Sequence, residues 1–138
     1  MNQAQQLPST EFFRNFITDY GRAWDNYDLQ TILDYYYMPC FIFKAGQVFA
    51  NVTEEVKHLY FKNLLDNYKV QNVAHAEIPH CEIKLLGDNS ALITVEWVCK
   101  RGDGTVVFDF WDSYHLIHID AQWKILDDTV HDPAVYQA

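Results

Sequence analysis

Basic side chains are scarce in this sequence: ten Lys and Arg stand against nineteen Asp and Glu, for a formal net charge of −9. A surface for nucleic acid needs clustered cations to replace the counterions around phosphates, and so few do not make one. No nucleic acid is expected as a partner, and an anionic membrane surface would repel the chain too. Long apolar runs are also missing, with no stretch near the roughly 20 residues that span a bilayer. The opening residues Met1 to Thr10 are polar and do not read as a secretory signal, so the expected location is the cytoplasm. Three cysteines, Cys40, Cys81 and Cys99, form an odd set without close pairing, and they read as reduced, buried thiols. Gly and Pro are few, and no repeat, linker or low-complexity tract interrupts the chain. Residues 1–138 therefore read as a single domain.

Metal and phosphate motifs are lacking as well. His75, His80 and Cys81 have no recognised zinc spacing. His115 and His118 are three apart on a strand and point to opposite faces, so they do not share a metal. Gly102-Asp103-Gly104 is a turn, not a dinucleotide fingerprint. No metal is expected.

Aromatic residues are plentiful, at 16% of the chain, and large rings in a small domain line cavities as well as fill cores. From Ser9 to Asp25, Phe13, Phe16, Ile17, Tyr20 and Trp24 recur at spacings of three and four, the stripe of an amphipathic helix. Ser9 or Thr10 can cap it. A short second helix follows Asp28 and is expected to end near Tyr36, since the residue before Pro39 is pushed out of the helical region. Cys40 to Lys44 and Gln47 to Ala50 read as a small hairpin. Thr53 starts a third helix, with Val56, Leu59, Tyr60, Asn63 and Leu64 expected on its inner face. Everything after Val70 reads as strand: Val73 to Leu86, Ala91 to Arg101, Thr105 to Ile119 and Trp123 to Val130. Helices first and an antiparallel meander afterwards indicate α+β.

The strand pattern says which residues point inward. Ala91, Ile93, Val95, Trp97 and Cys99 are apolar and alternate with Thr94, Glu96 and Lys100. A two-residue turn at Asp103-Gly104 pairs Gly102 with Thr105, which sets odd residues opposite even ones. The inward set of the next strand is then Val106, Phe108, Phe110, Asp112, Tyr114 and Leu116. A three-residue turn would instead put Asp109, Trp111, Ser113 and His115 inside. In the preferred register Asp112 projects into the interior, where desolvation raises its pKa. On the final strand Leu126, Asp128 and Val130 are expected to face inward together.

This order of elements resembles the nuclear transport factor 2-like superfamily over essentially the whole chain. So does the end, where a turn near Asp120-Ala121 precedes Trp123-Lys124-Ile125. The resemblance implies a cone-shaped, curved antiparallel sheet packed around three N-terminal helices and enclosing a pocket. Phe108-Asp109-Phe110-Trp111-Asp112-Ser113-Tyr114 is similar to the ketosteroid isomerase strand that carries an oxyanion-hole aspartic acid. Counting back from Trp24-Asp25, Tyr20 falls on that family's oxyanion-hole tyrosine. The resemblance thus implies Tyr20 and Asp112 as donors to a developing enolate. The isomerase base, an aspartate ending the first strand, matches a position at or near Lys44, and that hairpin holds no carboxylate. Polyketide cyclase-like and dehydratase-like relatives place Asp and His differently, which leaves Asp128 and His131, and after them His58 and His80, as proton carriers.

The expected ligand is a small apolar carbonyl compound, with Trp24, Tyr36, Phe43, Val95, Trp97, Phe110, Tyr114 and Val130 around it. The expected reaction is a cofactor-independent isomerisation, cyclisation or dehydration. Two other readings stand beside it: a non-catalytic binder with the same pocket, and a homodimeric interaction module in which Trp111 and Trp123 supply outward apolar area.

Overall fold

The computed structural model describes residues 8–133. Helix α1, Thr10–Asp25, is capped by the Ser9 side chain, which accepts from the Phe12 N–H at 3.1 Å. Its stripe buries Phe13, Ile17, Tyr20, Gly21 and Ala23. Helix α2, Leu29–Asp34, is capped by Asp28 and buries Ile32. Strands β1, Tyr36–Lys44, and β2, Gln47–Asn51, form a hairpin. Helix α3, Glu54–Val70, follows from its Thr53 cap. The rest is a meander: β3 His75–Leu86, β4 Ser90–Lys100, β5 Val106–Ile119 and β6 Gln122–His131. The architecture is α+β, with one curved, unclosed six-stranded sheet in the order β2-β1-β6-β5-β4-β3. Only the β1–β6 pairing is parallel among the described strands.

Alternation on β4 is complete: Ala91, Ile93, Val95, Trp97 and Cys99 are all buried. Across the β4–β5 ladder, Val95 faces Asp112, Trp97 faces Phe110 and Cys99 faces Phe108. That is the register expected from a two-residue turn, reached by another route. The connection is closed by Arg101 and Thr105 around Gly102, Asp103 and Gly104. A register shift between Cys99 and Lys100 adds one residue on the β5 side and restores the phase. Asp112 and Tyr114 consequently lie inside, at 5% and 2% exposure.

Four local expectations are corrected. The second helix stops at Asp34, and Tyr36 already belongs to β1, because it pairs with Ile125 of β6. On β6 a second bulge, between His115 and Leu116 on the partner strand, makes Leu126 the extra residue. Ile125 is therefore buried in its place, while Asp128 keeps its inward position. On α3 the buried residues are Lys57, Phe61 and Leu65, and Val56 and Leu59 are exposed. A lysine stem occupying a core position hides this stripe from a hydrophobicity reading. Trp123 is not outward apolar area, since it meets the buried Phe13 ring edge-on at 5.0 Å.

Candidate functional site

The helices and the concave face of the sheet enclose a cavity of about 240 Å³. Helix α1 contributes Tyr20, Gly21 and Trp24; β1 contributes Tyr36, Ile42 and Lys44. Helix α3 supplies Tyr60, Phe61, Leu64 and Tyr68, and the inward positions of β4, β5 and β6 supply Trp97, Phe108, Phe110, Asp112, Tyr114, Asp128 and Val130. A space of about 150 Å³ holds benzene, so this one admits a single substituted ring.

Polar groups meet at the wall formed by β5 and β6. The Tyr114 hydroxyl donates to Asp112 Oδ2 at 2.6 Å and accepts from Trp97 Nε1–H at 2.9 Å. The Tyr20 and Tyr36 hydroxyls bond each other at 2.7 Å. That pair shares two protons and uses one between them, so one O–H is left to give to a ligand. Asp128 lies across the ladder from Tyr114 and is 6% exposed. Asp112 Oδ1 and Asp128 Oδ1 are both buried with no partner among the described residues.

Two ionised carboxylates do not sit together in an apolar wall. Burial pushes the Asp112 carboxyl up to about 7, offset in part by its bond from Tyr114 and by the charge of Lys44. Burial first, and then the charge of Asp112, holds Asp128 well above the usual carboxylate range. The two groups titrate as a pair. Burial favours a retained proton in this pair, and a proton on one carboxyl has the other as the acceptor with which it is shared. Burial likewise keeps the phenols of Tyr20, Tyr36, Tyr68 and Tyr114 protonated far above their ordinary range. They donate hydrogen bonds and do not act as bases.

The structure gathers Tyr20, Asp112, Asp128, Trp24, Tyr36, Trp97, Phe110, Tyr114 and Val130 around one space. Five anticipated residues lie elsewhere. Phe43 points away from the cavity and is 46% exposed, because its neighbours Ile42 and Lys44 take the inward positions of β1. Val95 is fully buried opposite Asp112 but lies outside the cavity lining. His131 occupies the outer face, where its Nε2 bonds the Ser113 hydroxyl at 2.8 Å. The two expected oxyanion donors do not bond each other: Asp112 accepts from Tyr114, and Tyr20 bonds Tyr36. His58 and His80 are exposed and outside the cavity lining, and His80 pairs with Glu96 at 2.7 Å on the outer face.

Sequence reasoning placed Tyr60 and Leu64 on the inner face of α3, where they line the cavity, but missed Phe61 and Tyr68. Tyr60, Phe61, Leu64 and Tyr68 recur at spacings of one, three and four, and that aromatic stripe was the available signal.

A family described as NTF2-like protein (DUF6841) matches residues 10–133. No curated protein matches the sequence closely enough to count as a relative. Among solved structures, an NTF-2-like protein of unknown function from Shewanella oneidensis MR-1 is similar at 21% identity and a TM-score of 0.71, over 89% of this chain and 98% of that one. An NTF2-like protein of unknown function from Pseudomonas putida KT2440 is 15% identical with a TM-score of 0.72, over 93% and 90%. One with a cystatin-like fold from Novosphingobium aromaticivorans is 13% identical with a TM-score of 0.70, over 88% and 79%. At these identities the neighbours speak for the fold alone, and the family match over residues 10–133 establishes that the chain belongs to the NTF2-like proteins.

Proposed function

We propose that the chain is a small-molecule enzyme that moves a proton beside a carbonyl group, as an isomerase, cyclase or dehydratase does, on an apolar compound of about one ring. The observation that carries this reading is the Asp112–Asp128 pair, two buried carboxyls with orphan oxygens on the wall of an aromatic cavity. A group titrating near neutrality is suited to exchange protons at working pH. Asp112, at about 7, is the member that accepts the proton. Asp128, held neutral, and the free O–H of the Tyr20–Tyr36 pair donate to the carbonyl oxygen. The step balances within the site: a C–H bond next to the carbonyl breaks, its proton goes to Asp112, its electron pair forms the C=C bond, and Asp128 protonates the oxygen. Low polarity around the site strengthens each of these interactions.

Exchange of the benzylic protons of phenylacetone for deuterium, followed by NMR in D2O, tests the reading. The wild-type protein is expected to accelerate exchange over buffer, and Asp112→Asn to remove at least 100-fold of that acceleration, the usual order for a positioned general base (about 10² to 10⁴). Acceleration equal in wild type and in both Asp112→Asn and Asp128→Asn would reject it. A second reading, a non-catalytic binder, is favoured by the position of Lys44 on β1, where the isomerase-like pattern calls for a carboxylate. It predicts saturable binding of the ketone with no exchange.

A further inference from the structure

The cavity contains one cation that the proton-transfer reading leaves idle. Lys44 ends β1 and is the only Lys or Arg on the cavity lining among the described residues. It forms no ion pair with any described residue. Its charge nevertheless acts on both carboxyls, favouring the ionised form of Asp112 and of Asp128. Ile42 pairs with Asp128 across the β1–β6 ladder, so Lys44, two residues on along the same face, is a neighbour of the carboxyl pair without an ion pair to either member. The rest of the cavity wall is largely aromatic, with Trp24, Phe108, Phe110 and Tyr68.

A ligand that satisfies this arrangement carries two polar groups close together on an apolar body. One is an anion for Lys44, and the other is an oxygen that meets the acid pair. A single ammonium suits a single negative charge. A dianionic phosphate would leave one charge unbalanced beside two carboxyls, at a high desolvation cost. A carboxylate adjacent to a carbonyl has the required charge and puts its two polar groups on neighbouring carbons, to suit a lysine that stands on the strand next to Asp128. Resting on the proton-transfer reading above, we infer that the ligand is an aromatic or alicyclic 2-oxo acid, its carboxylate held by Lys44 and its oxo group turned to Asp112 and Asp128. The proton balance is that of the neutral ketone: the carbon next to the oxo group gives its proton to Asp112, and Asp128 protonates the oxo oxygen. Lys44 takes no part in the bond changes and is a positioning residue.

Two probes that differ at one group decide this. Phenylpyruvate carries a carboxylate where phenylacetone carries a methyl. Benzylic deuterium exchange of each is measured with the protein and divided by its rate in buffer, as a function of concentration. A hydrogen bond to a charged group is worth roughly 1.5–3 kcal/mol, so the wild-type protein is expected to use phenylpyruvate about 10-fold to 100-fold better at low concentration. Lys44→Met is expected to bring that preference close to one through a raised KM, and Lys44→Arg to restore part of it. Equal use of both probes by the wild type, or a preference untouched by Lys44→Met, overturns the inference while leaving the proton-transfer reading standing. If neither probe exchanges, that reading has failed, and calorimetric titration then decides the ligand class. Saturable phenylpyruvate binding that Lys44→Met abolishes supports it, and no binding, or binding indifferent to Lys44→Met, overturns it.

Discussion

The Tyr114 hydroxyl donates to Asp112 Oδ2 across 2.6 Å, from a residue two positions along the same face of β5. This bond favours the ionised form of the carboxyl. Trp97 Nε1–H fixes the hydroxyl from the other side at 2.9 Å. Tyr114→Phe removes the donor and leaves both Asp112 Oδ2 and Trp97 Nε1–H unpaired. The expected result is a carboxyl that titrates above about 7, and a fold weakened by about 1–3 kcal/mol for the buried groups left unsatisfied. The pH–rate profile for phenylacetone exchange checks the first part through an upward shift of its acidic limb. Chemical denaturation checks the second. An unchanged midpoint would mean that Tyr114 does not tune Asp112.

The carboxyl pair also makes stability depend on pH. Both members titrate higher in the folded chain than in the unfolded one, so the folded state binds more protons between the usual carboxylate range and about pH 7. Stability must then fall as pH rises through that window, by about 1.4 kcal/mol per pH unit for each proton linked. Surface carboxyls held down by partners, Glu77 and Asp66 among them, act in the opposite sense at the acid end. The readable interval is therefore about pH 5 to 7. Urea unfolding of wild type and Asp112→Asn across it is expected to show a falling curve for the wild type and a flatter one for the variant. Parallel curves would contradict the shared-proton account.

Much of this site was legible because β-strand alternation is a strict rule. Once Ala91, Ile93, Val95, Trp97 and Cys99 assign one face of β4, pairing across the hairpin places Asp112 and Tyr114 inside. The turn near Asp103 illustrates the limit of that rule. The loop has three residues, and the bulge beside Cys99 cancels its effect, so the right register arose from compensating features that composition does not encode. The bulge at Leu126 had no such compensation and exchanged Leu126 for Ile125. Helix α3 was misread by one position because Lys57 sits where an apolar residue was sought, and its ammonium reaches the Tyr36 carbonyl at 3.0 Å. Strand alternation sets Tyr114 beside Asp112, whereas the Tyr20–Tyr36 bond depends on side-chain packing between distant segments, and no periodicity reports that.

The Tyr20–Tyr36 bond ties α1 to β1 at the cavity wall. Both rings are buried, so Phe at either position preserves shape and removes one hydroxyl. The two hydroxyls answer each other, and losing the second therefore costs less than losing the first. Tyr20→Phe, Tyr36→Phe and the double variant are expected to give a coupling of about 0.5–1.5 kcal/mol in stability. If one of these hydroxyls also gives its spare O–H to the ligand, each single variant slows phenylacetone exchange about 10-fold or more. Additive stabilities would show that the hydroxyls do not depend on each other.

Gly21 is a structural requirement of the cavity. A Cβ at this position on α1 would stand 2.9 Å from Trp97 Cζ3 and 3.1 Å from its Cη2. The indole has little room to yield, since its Nε1–H is bound to Tyr114 and its ring is 5% exposed. Alanine favours a helix over glycine by about 1 kcal/mol, whereas overpacking a tight core costs about 1–3 kcal/mol. The steric cost is expected to dominate, and Gly21→Ala to lower the Tm by a few degrees despite its better helix propensity. The displaced indole would carry the Tyr114 hydroxyl with it and disturb Asp112, so phenylacetone exchange is expected to fall further than the lost stability accounts for. Thermal unfolding together with exchange kinetics at a temperature where both proteins are folded checks this. A variant with a higher Tm and full activity would show that Trp97 has space to move.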